Sequence, residues 1–170
     1  TTATSARTSR ASAPSCPTNL ALSEWVISNV WLRMPGLSVT VTNGLTVVGT
    51  NYALHKLEFT NTASITCGEL KISGSTLTLG SGEPEGPTLT CAGNLTMTNT
   101  GATDASLTNN SRLLIAAGLT CPGEASAYGA KVQVGGDVVV SSNCWVLPAA
   151  HPTNGTVPLL RTQNIILHPG

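Results

Sequence analysis

The side chains of this sequence that are best suited to chemistry are its carboxylates, and they are few. Glycoside hydrolysis needs two carboxyl groups that face each other across the scissile bond, and a calcium site needs a cluster of acidic ligands. The acidic residues are Glu24, Glu58, Glu69, Glu83, Glu85, Asp104, Glu124 and Asp137. Only Glu83 and Glu85 are close in sequence, and they share a Gly- and Pro-rich segment typical of an exposed loop. The spacing therefore predicts no catalytic residues, and we expect a protein that is not an enzyme.

Histidines and cysteines also lack the spacing of a metal site. His55, His151 and His168 lie far apart and fit neither a zinc pattern nor a Ser-His-Asp arrangement. The five cysteines, which match no zinc or haem spacing, are Cys16, Cys67, Cys91, Cys121 and Cys144. We therefore expect no metal and no other cofactor.

Two of the cysteines are candidates for a disulfide. Cys67 and Cys91 each end a short alternating segment, at residues 64–67 and 88–91. If such segments stack on one another, the two cysteines come within reach of a disulfide. A stacked pair of buried thiols, acting as small apolar side chains, is the alternative.

Further motifs concern the surface of the protein. Asn94, Asn109 and Asn154 each open an Asn-x-Ser/Thr triplet and are candidate glycosylation acceptors. Thr-x-Thr pairs stand at residues 40–42, 76–78, 88–90 and 96–98. Stacked on one wall, such pairs would form a hydroxyl lattice that resembles the ice-binding face of antifreeze solenoids. Because we assign the pairs to different strands, we interpret them as ordinary outward threonines of a sheet.

The composition favours short strands joined by tight corners. Only 9% of the residues are charged, against about 25% in an average globular protein, while 41% are apolar. Thr, Ser, Asn and Gly take the place of the charged residues, and these types favour strands and turns. The net charge is zero and no basic patch exists, so nucleic-acid binding is not expected. No apolar run reaches the length of about 18 residues that a membrane span requires, so we expect none.

An irregular repeat explains this composition. Glycine followed by alternating apolar residues recurs at residues 43–49, 67–74, 92–98 and 135–141. The anchor leucines Leu45, Leu70 and Leu95 follow one another at equal intervals. Val138 follows at a longer interval, which we interpret as two shorter repeats with 118–121 as a strand between them. Ile165 begins a last, partial repeat.

Each repeat contains three short alternating segments, so it predicts one three-sided coil. Period-two alternation directs Leu, Ile, Val and Cys inward and Thr, Lys and Glu outward. One coil cannot bury its apolar side alone, so several must stack. We therefore predict an all-β fold, a right-handed parallel β-solenoid of about five to six coils. A β-sandwich is the alternative, and the equal spacing of the anchor leucines favours the solenoid.

Three regions follow from this assignment. Residues 1–19 are rich in Ser, Thr and Pro and form an N-terminal arm, and residues 37–170 form the solenoid. Residues 20–36 form an N-terminal cap over the first coil. The cap segment fits either a short amphipathic helix after Ser23 or a strand with Trp25, Ile27 and Trp31 on one face.

The Gly-x-Leu-Thr-Val style of repeat at 44–49, 68–74, 93–98 and 136–141 resembles that of bacterial secreted parallel β-helix proteins, such as autotransporter passengers and filamentous adhesins. The resemblance covers roughly residues 37–147. It implies an extracellular or cell-surface location and an adhesive or structural role, and it assigns no functional residue.

The expected function is therefore that of a structural subunit of an extracellular fibre, sheath or surface layer. Copies would pack through their solenoid ends and the N-terminal arm, so the main partner is the protein itself. The alternative is an adhesin or carbohydrate-binding fragment of a larger surface protein, with surface glycans as partners. Tyr52, Tyr128 and Trp145 are the candidate sugar-stacking residues. An ice-binding solenoid is a third and weaker hypothesis.

Overall fold

The computed structural model describes residues 18–61, 64–80, 85–100 and 108–169. Over these ranges the secondary structure is entirely β, which confirms the predicted fold class. The strands are β1 (Asn19–Ser28), β2 (Trp31–Pro35), β3 (Ser38–Val48), β4 (Lys56–Thr60), β5 (Ser64–Ser73), β6 (Thr76–Leu79), β7 (Thr88–Cys91), β8 (Leu95–Thr98), β9 (Arg112–Ala116), β10 (Tyr128–Val134), β11 (Val138–Val140), β12 (Trp145–Ala149), β13 (Val157–Arg161) and β14 (Ile165–Leu167). No helix in the described ranges could cross a bilayer.

The strands form two sheets in which every pairing is parallel. The first, sheet A, has the order β13-β10-β7-β5-β8-β11-β14, with β3 also paired to β5 and β1 to β3. The second, sheet B, has the order β12-β9-β6-β4-β2. Between two strands that pair in sheet A, the chain crosses to sheet B, forms one strand there and returns. Parallel neighbours need such a crossover, and here strands of the other sheet provide it.

Sheet A contains long strands near its N-terminal end and pairs of short strands after them. The first half of β5 pairs with β7 and its second half with β8. The chain of β3 is irregular between Val41 and Gly44, where the register shifts against β5. Gly68 lies opposite this irregularity, and a Cβ placed there would collide with the Asn43 carbonyl oxygen. Only glycine therefore allows the two backbones to approach at this point.

The anchor residues of the repeat are register partners. Leu45 pairs with Leu70, Leu70 with Leu95, Leu95 with Val138 and Val138 with Ile165. The equal spacing of the anchor leucines therefore predicted the register correctly. Each of these residues stands directly over the next, so their side chains form one continuous apolar column through sheet A.

The expected strand at 118–121 is wrong. Leu95 and Val138 are direct partners, so no strand lies between them. The β pairing of residues 118–121 within the described chain is limited to an isolated bridge between Thr120 and Glu85. Pro122 cannot donate to a sheet ladder, and Gly123 turns the chain away with a φ of 75°. The longer interval before Val138 thus contains an excursion of the chain and not an additional repeat.

The apolar faces of both sheets meet in one core. Alternate residues of the interior strands β3 to β5 and β7 to β11 are buried, as the period-two pattern predicts. Further columns run through the core, and they are Leu20–Val39–Ile65–Leu89–Val132–Leu160, Ile27–Val47–Ile72–Met97–Val140–Leu167 and Leu32–Leu57–Leu77–Leu113–Val146. Stacked aliphatic side chains of similar size fill such columns without voids.

The segment predicted as a cap forms β1 and β2. The strand alternative is therefore the observed one, and these strands pair in parallel with β3 and β4. Ile27 is buried and Trp25 packs against the core. Trp31 lies on β2 and is 63% exposed, so it does not share their face. Of the predicted arm, residues 1–17 lie outside the described residues.

Candidate functional site: two sheet edges and an aromatic cluster

The C-terminal edge of the sheets exposes side chains that belong to the core columns. Ile165 and Leu167 on β14 are register partners of Val138 and Val140, which are both buried. Yet Ile165 is 54% exposed and Leu167 is 70% exposed, since no described residue lies over them. Leu160 on β13 also continues a column and is 36% exposed. The inner apolar surface therefore reaches solvent at this edge.

The N-terminal edge, formed by β1 and β2, is better covered. Its inward residues Leu20, Trp25, Leu32 and Met34 are partly buried against the core. The outward side of the edge exposes apolar groups as well, with Val26 at 56%. Within the described chain, β1 and β2 each pair on one side only. Both edges therefore offer unpaired backbone groups, the usual template for adding another strand.

An ion-pair cluster fixes β13 at the C-terminal edge. The two terminal guanidinium nitrogens of Arg161, Nη1 and Nη2, each donate to one oxygen of the Glu124 carboxylate at 2.8 Å. The Lys131 ammonium lies 3.3 Å from the same carboxylate. Loss of water around Glu124 opposes ionisation, but the hydrogen bonds and charges of Arg161 and Lys131 outweigh it and lower the pKa of Glu124. The cluster ties the loop before β10 to the last strands.

The outer face of sheet B carries a row of aromatic and basic side chains. Register places Trp31, Lys56, Thr76, Arg112 and Trp145 side by side on five successive strands. The Lys56 ammonium lies 4.9 Å from the Trp31 ring centroid. At this distance a cation is attracted to the face of the ring.

Tyr52 joins this row from the loop before β4. The Arg112 guanidinium carbon lies 3.6 Å from the Tyr52 ring centroid and 4.9 Å from that of Trp145. The two rings themselves are 6.3 Å apart in an edge-on arrangement. We call Tyr52, Arg112 and Trp145 the aromatic–arginine cluster.

The loop at 50–55 is held in place by its own polar contacts. The Nδ1 atom of His55 accepts hydrogen bonds from the backbone N–H groups of Thr50 and Asn51, at 3.0 and 3.3 Å. The Thr76 hydroxyl donates to the Tyr52 carbonyl oxygen at 2.8 Å. The loop consequently covers Thr76 and sets the Tyr52 ring against Arg112. His55 thus has a structural role in this loop.

A cavity of about 320 Å³ lies beside the cluster. Its lining residues are Tyr52, Ala53, Lys56, Glu58, Thr76, Thr78, Arg112 and Leu114. Glu58 accepts a hydrogen bond from the Trp31 indole N–H at 2.9 Å. The Nε–H of Arg112 is buried, and no described residue offers it a hydrogen-bond acceptor. The cavity therefore combines two cations, one engaged carboxylate and aromatic surface.

The candidate cysteines are brought together as the stacking argument expects. Cys67 and Cys91 are register partners on β5 and β7, and both are buried. A hydrogen bond to Cys91, together with burial, raises the pKa of Cys67 well above the ordinary thiol value. Both are free thiols in the structure, and the disulfide stays a prediction.

The remaining cysteines do not join this pair. Burial raises the pKa of Cys121 and that of Cys144. Cys16 lies outside the described residues. Among the described residues, no three His, Cys, Asp or Glu side chains are grouped as metal ligands would be.

The candidate glycosylation residues lie in loops and contact the fold. The Asn94 side-chain oxygen accepts from the Asp137 N–H at 2.9 Å, and the Asn154 side-chain amide donates to the Leu119 carbonyl oxygen at 2.9 Å. Asn94 and Asn154 are exposed, and Asn109 is half-buried. Glycosylation of all three stays a prediction.

The threonine pairs are not all on different walls. Thr40, Thr66 and Thr90 are register partners on β3, β5 and β7, with Ser38, Ser64 and Thr88 in the adjacent column. Thr66 is not part of a Thr-x-Thr pair, because the residue two positions before it is Ser64. The pairs at 76–78 and 96–98 lie on other parts of the sheets.

The sequence pattern did not predict that Trp31, Lys56 and Arg112 share one surface. Tyr128, the third candidate sugar-stacking residue beside Tyr52 and Trp145, lies on β10 of sheet A and away from the cluster. No constant interval in the sequence marks this row, because the sheet B strands begin at unequal intervals along the chain. No family model matches the chain, and no match is found among the curated proteins or the solved structures.

Proposed function

We propose that the two sheets close into a right-handed parallel β-solenoid and that the protein is a structural subunit whose copies associate end to end. The proposed coils each take two segments from sheet A and one from sheet B, which gives five complete coils and a partial sixth from the strand order. The chain order and the apolar columns support this closure, because the column of anchor residues in sheet A has one member in every proposed coil.

The exposed core residues of β13 and β14 carry the proposal of association. Leu160, Ile165 and Leu167 continue the core columns and remain accessible to water. Fully burying each such side chain is worth roughly 1.5–3 kcal/mol. Unpaired backbone groups on the same edge would gain partners at the same time. A second copy that presents β1 would supply both kinds of contact.

The register defines how two copies would meet. Val26 and Ile166 stand in the same outward column, at the two ends of sheet A. In a head-to-tail contact Ile166 of one copy would therefore lie beside Val26 of the next. Such a contact uses different surfaces on the two copies and does not close on itself, so it would build a filament. Six strand layers at about 4.8 Å give an axial repeat of roughly 29 Å.

The proposed N-terminal arm has a place in this arrangement. At the C-terminal edge the described strands of the partial sixth coil all belong to sheet A, and the last described strand of sheet B is β12. A head-to-tail contact would consequently leave one strand position over β12. Each coil passes through sheet B just before it returns to sheet A, so the residues that precede Asn19 in the next copy would enter at this level. We propose that residues 1–17 of the arm fill that position.

An extracellular or cell-surface location is part of the proposal. The low content of charged residues, the Asn-x-Ser/Thr triplets and the resemblance to secreted parallel β-helix proteins support it. We also propose that the protein is not an enzyme. The second candidate function is that of an adhesin or carbohydrate-binding fragment of a larger surface protein, and the aromatic–arginine cluster on sheet B favours it.

Electron microscopy of the purified protein over a range of concentrations tests the proposal. We expect filaments with an axial repeat of roughly 29 Å, in line with the strand spacing. Leu167→Lys should abolish them, because the charge would enter the apolar contact. Leu54→Lys is the control of equal change, since this exposed leucine lies in the loop before β4 and not at a sheet edge, and it should leave the filaments unchanged. Deletion of residues 1–17 should also weaken them. Monomers at every concentration would overturn the proposal.

A further inference from the structure

We infer that the cavity beside the aromatic–arginine cluster binds an acidic saccharide through its carboxylate. The site lies on the outer face of sheet B, whereas the proposed association uses the strand edges, so the two ideas can fail separately. Three properties of the cavity lead to this ligand class: an unsatisfied cationic donor, aromatic rings at the surface, and a size suited to about one sugar ring.

The unsatisfied donor is the Nε–H of Arg112. This atom is buried, and it has no acceptor among the residues that the structure describes. That state is costly for a charged group, and a ligand oxygen could relieve it. The Tyr52 ring centroid lies 3.6 Å from the guanidinium carbon and the Trp145 centroid 4.9 Å from it. An incoming acceptor must therefore approach along a part of the guanidinium edge that neither ring covers. A carboxylate fits this requirement, because its two oxygens can receive guanidinium N–H groups in one plane.

The charges around the cavity favour an anion. Among the described lining residues, Lys56 and Arg112 carry positive charge and Glu58 is the one acid. Glu58 already accepts the Trp31 indole N–H, so part of its hydrogen-bonding capacity is used within the fold. A ligand carboxylate between Lys56 and Arg112 would be attracted by both cations. The two cations and one carboxylate give the described lining a net charge of +1.

The aromatic surface selects a saccharide over a bare anion. Tyr52 lines the cavity itself, and Trp31 and Trp145 stand at the two ends of the same row. Aromatic rings present apolar faces against which the C–H side of a sugar ring can pack. The Thr78 hydroxyl on the lining adds a donor and acceptor for sugar hydroxyls. Four strand steps separate Trp31 from Trp145, roughly 19 Å, so an extended oligosaccharide could contact the whole row.

Calorimetric titration of the whole protein with a trisaccharide of galacturonic acid tests this inference. The matched probe is the galactose trisaccharide of the same linkage, and sodium acetate serves as the bare carboxylate. We expect the acidic trisaccharide to bind at least tenfold more tightly than either probe, with an affinity that falls as salt is added. Equal binding of the neutral trisaccharide, binding of acetate as tight as that of the trisaccharide, or no binding at all would each overturn the inference.

Variants locate the binding. Arg112→Gln and Lys56→Gln should each weaken binding of the acidic trisaccharide by roughly ten- to a hundredfold, as expected for a lost charge-assisted hydrogen bond. Lys56→Gln keeps the test valid if Arg112→Gln does not fold, because it leaves the packing of the aromatic–arginine cluster unchanged. Lys71→Gln, on the outer face of sheet A beside Glu69, is the control of equal charge change and should bind normally. Unchanged binding by a folded Lys56→Gln variant would place the saccharide elsewhere and overturn the inference.

Discussion

Truncation along one apolar column should cost very different amounts at its middle and at its end. Leu95 and Ile165 both belong to the column of anchor residues, with Val138 between them. Leu95 is fully buried between Leu70 and Val138, whereas Ile165 is 54% exposed. Alanine at either position removes methyl and methylene groups from the same column. If the packed column ends at β14, Ile165→Ala should therefore lower the free energy of unfolding much less than Leu95→Ala.

The expected magnitudes follow from burial. Leu→Ala in a core costs roughly 2–5 kcal/mol, and a site packed on both sides by other strands should lie near the middle, about 3 kcal/mol. Ile→Ala removes three carbons, worth about 2.4 kcal/mol when fully buried. Less than half of the Ile165 side chain is buried, so Ile165→Ala should cost only about 1 kcal/mol.

Urea unfolding followed by far-ultraviolet circular dichroism gives both free energies of unfolding. The protein should be held at low micromolar concentration, so that association between copies does not contribute to the stability of β14. A loss for Ile165→Ala as large as that for Leu95→Ala would contradict the exposed edge. A loss below about 1 kcal/mol for Leu95→Ala would contradict the packed column itself.

Two further predictions concern the backbone and pH. Gly74 has a φ of 57° and a Cβ there would collide with the Gly49 carbonyl oxygen, so Gly74→Ala should lower the free energy of unfolding by more than about 2 kcal/mol in urea titrations. Gly123→Ala is its control, with a φ of 75° but open space around the Cβ, and a loss of about 1 kcal/mol is expected; equal losses would show that close packing is not decisive. The lowered pKa of Glu124 means that its ion pairs stabilise the fold fully above the ordinary value of 4.5 and lose their effect as pH falls through the lower folded-state pKa. The Glu124→Gln variant should therefore show a flatter decline of melting temperature below pH 4.5 than the unaltered protein, and parallel declines would refute this role.

The repeat could be predicted from the sequence because its spacing carries the register. Leu45, Leu70 and Leu95 recur at equal intervals, and in parallel strands equal intervals place side chains directly over one another. The prediction failed where the chain leaves the sheets. Residues 118–121 alternate as a strand does, but Pro122 follows and the segment packs as a loop. Local pattern does not distinguish such an excursion from a further repeat.

The aromatic–arginine cluster could not be predicted in the same way. The first residues of the sheet B strands, from Trp31 on β2 to Trp145 on β12, follow one another at unequal intervals along the chain. Loops of different length absorb these differences, so no constant period reveals the row. Tyr52 reaches Arg112 only because its loop folds over Thr76, a tertiary contact without a sequence signature. The core columns could thus be predicted from the sequence pattern. The aromatic–arginine cluster becomes visible only when the register between the strands is known.

Disulfide trapping of neighbouring copies tests end-to-end association most directly. In the proposed filament, Val26 of one copy lies beside Ile166 of the next, and both side chains are exposed at opposite edges. The double variant Val26→Cys, Ile166→Cys, in a background with Cys16→Ser, should oxidise to a ladder of dimers, trimers and longer species on a non-reducing gel. Each single variant should stop at the dimer. A double variant that yields no multimers beyond those of the single variants would contradict the head-to-tail register.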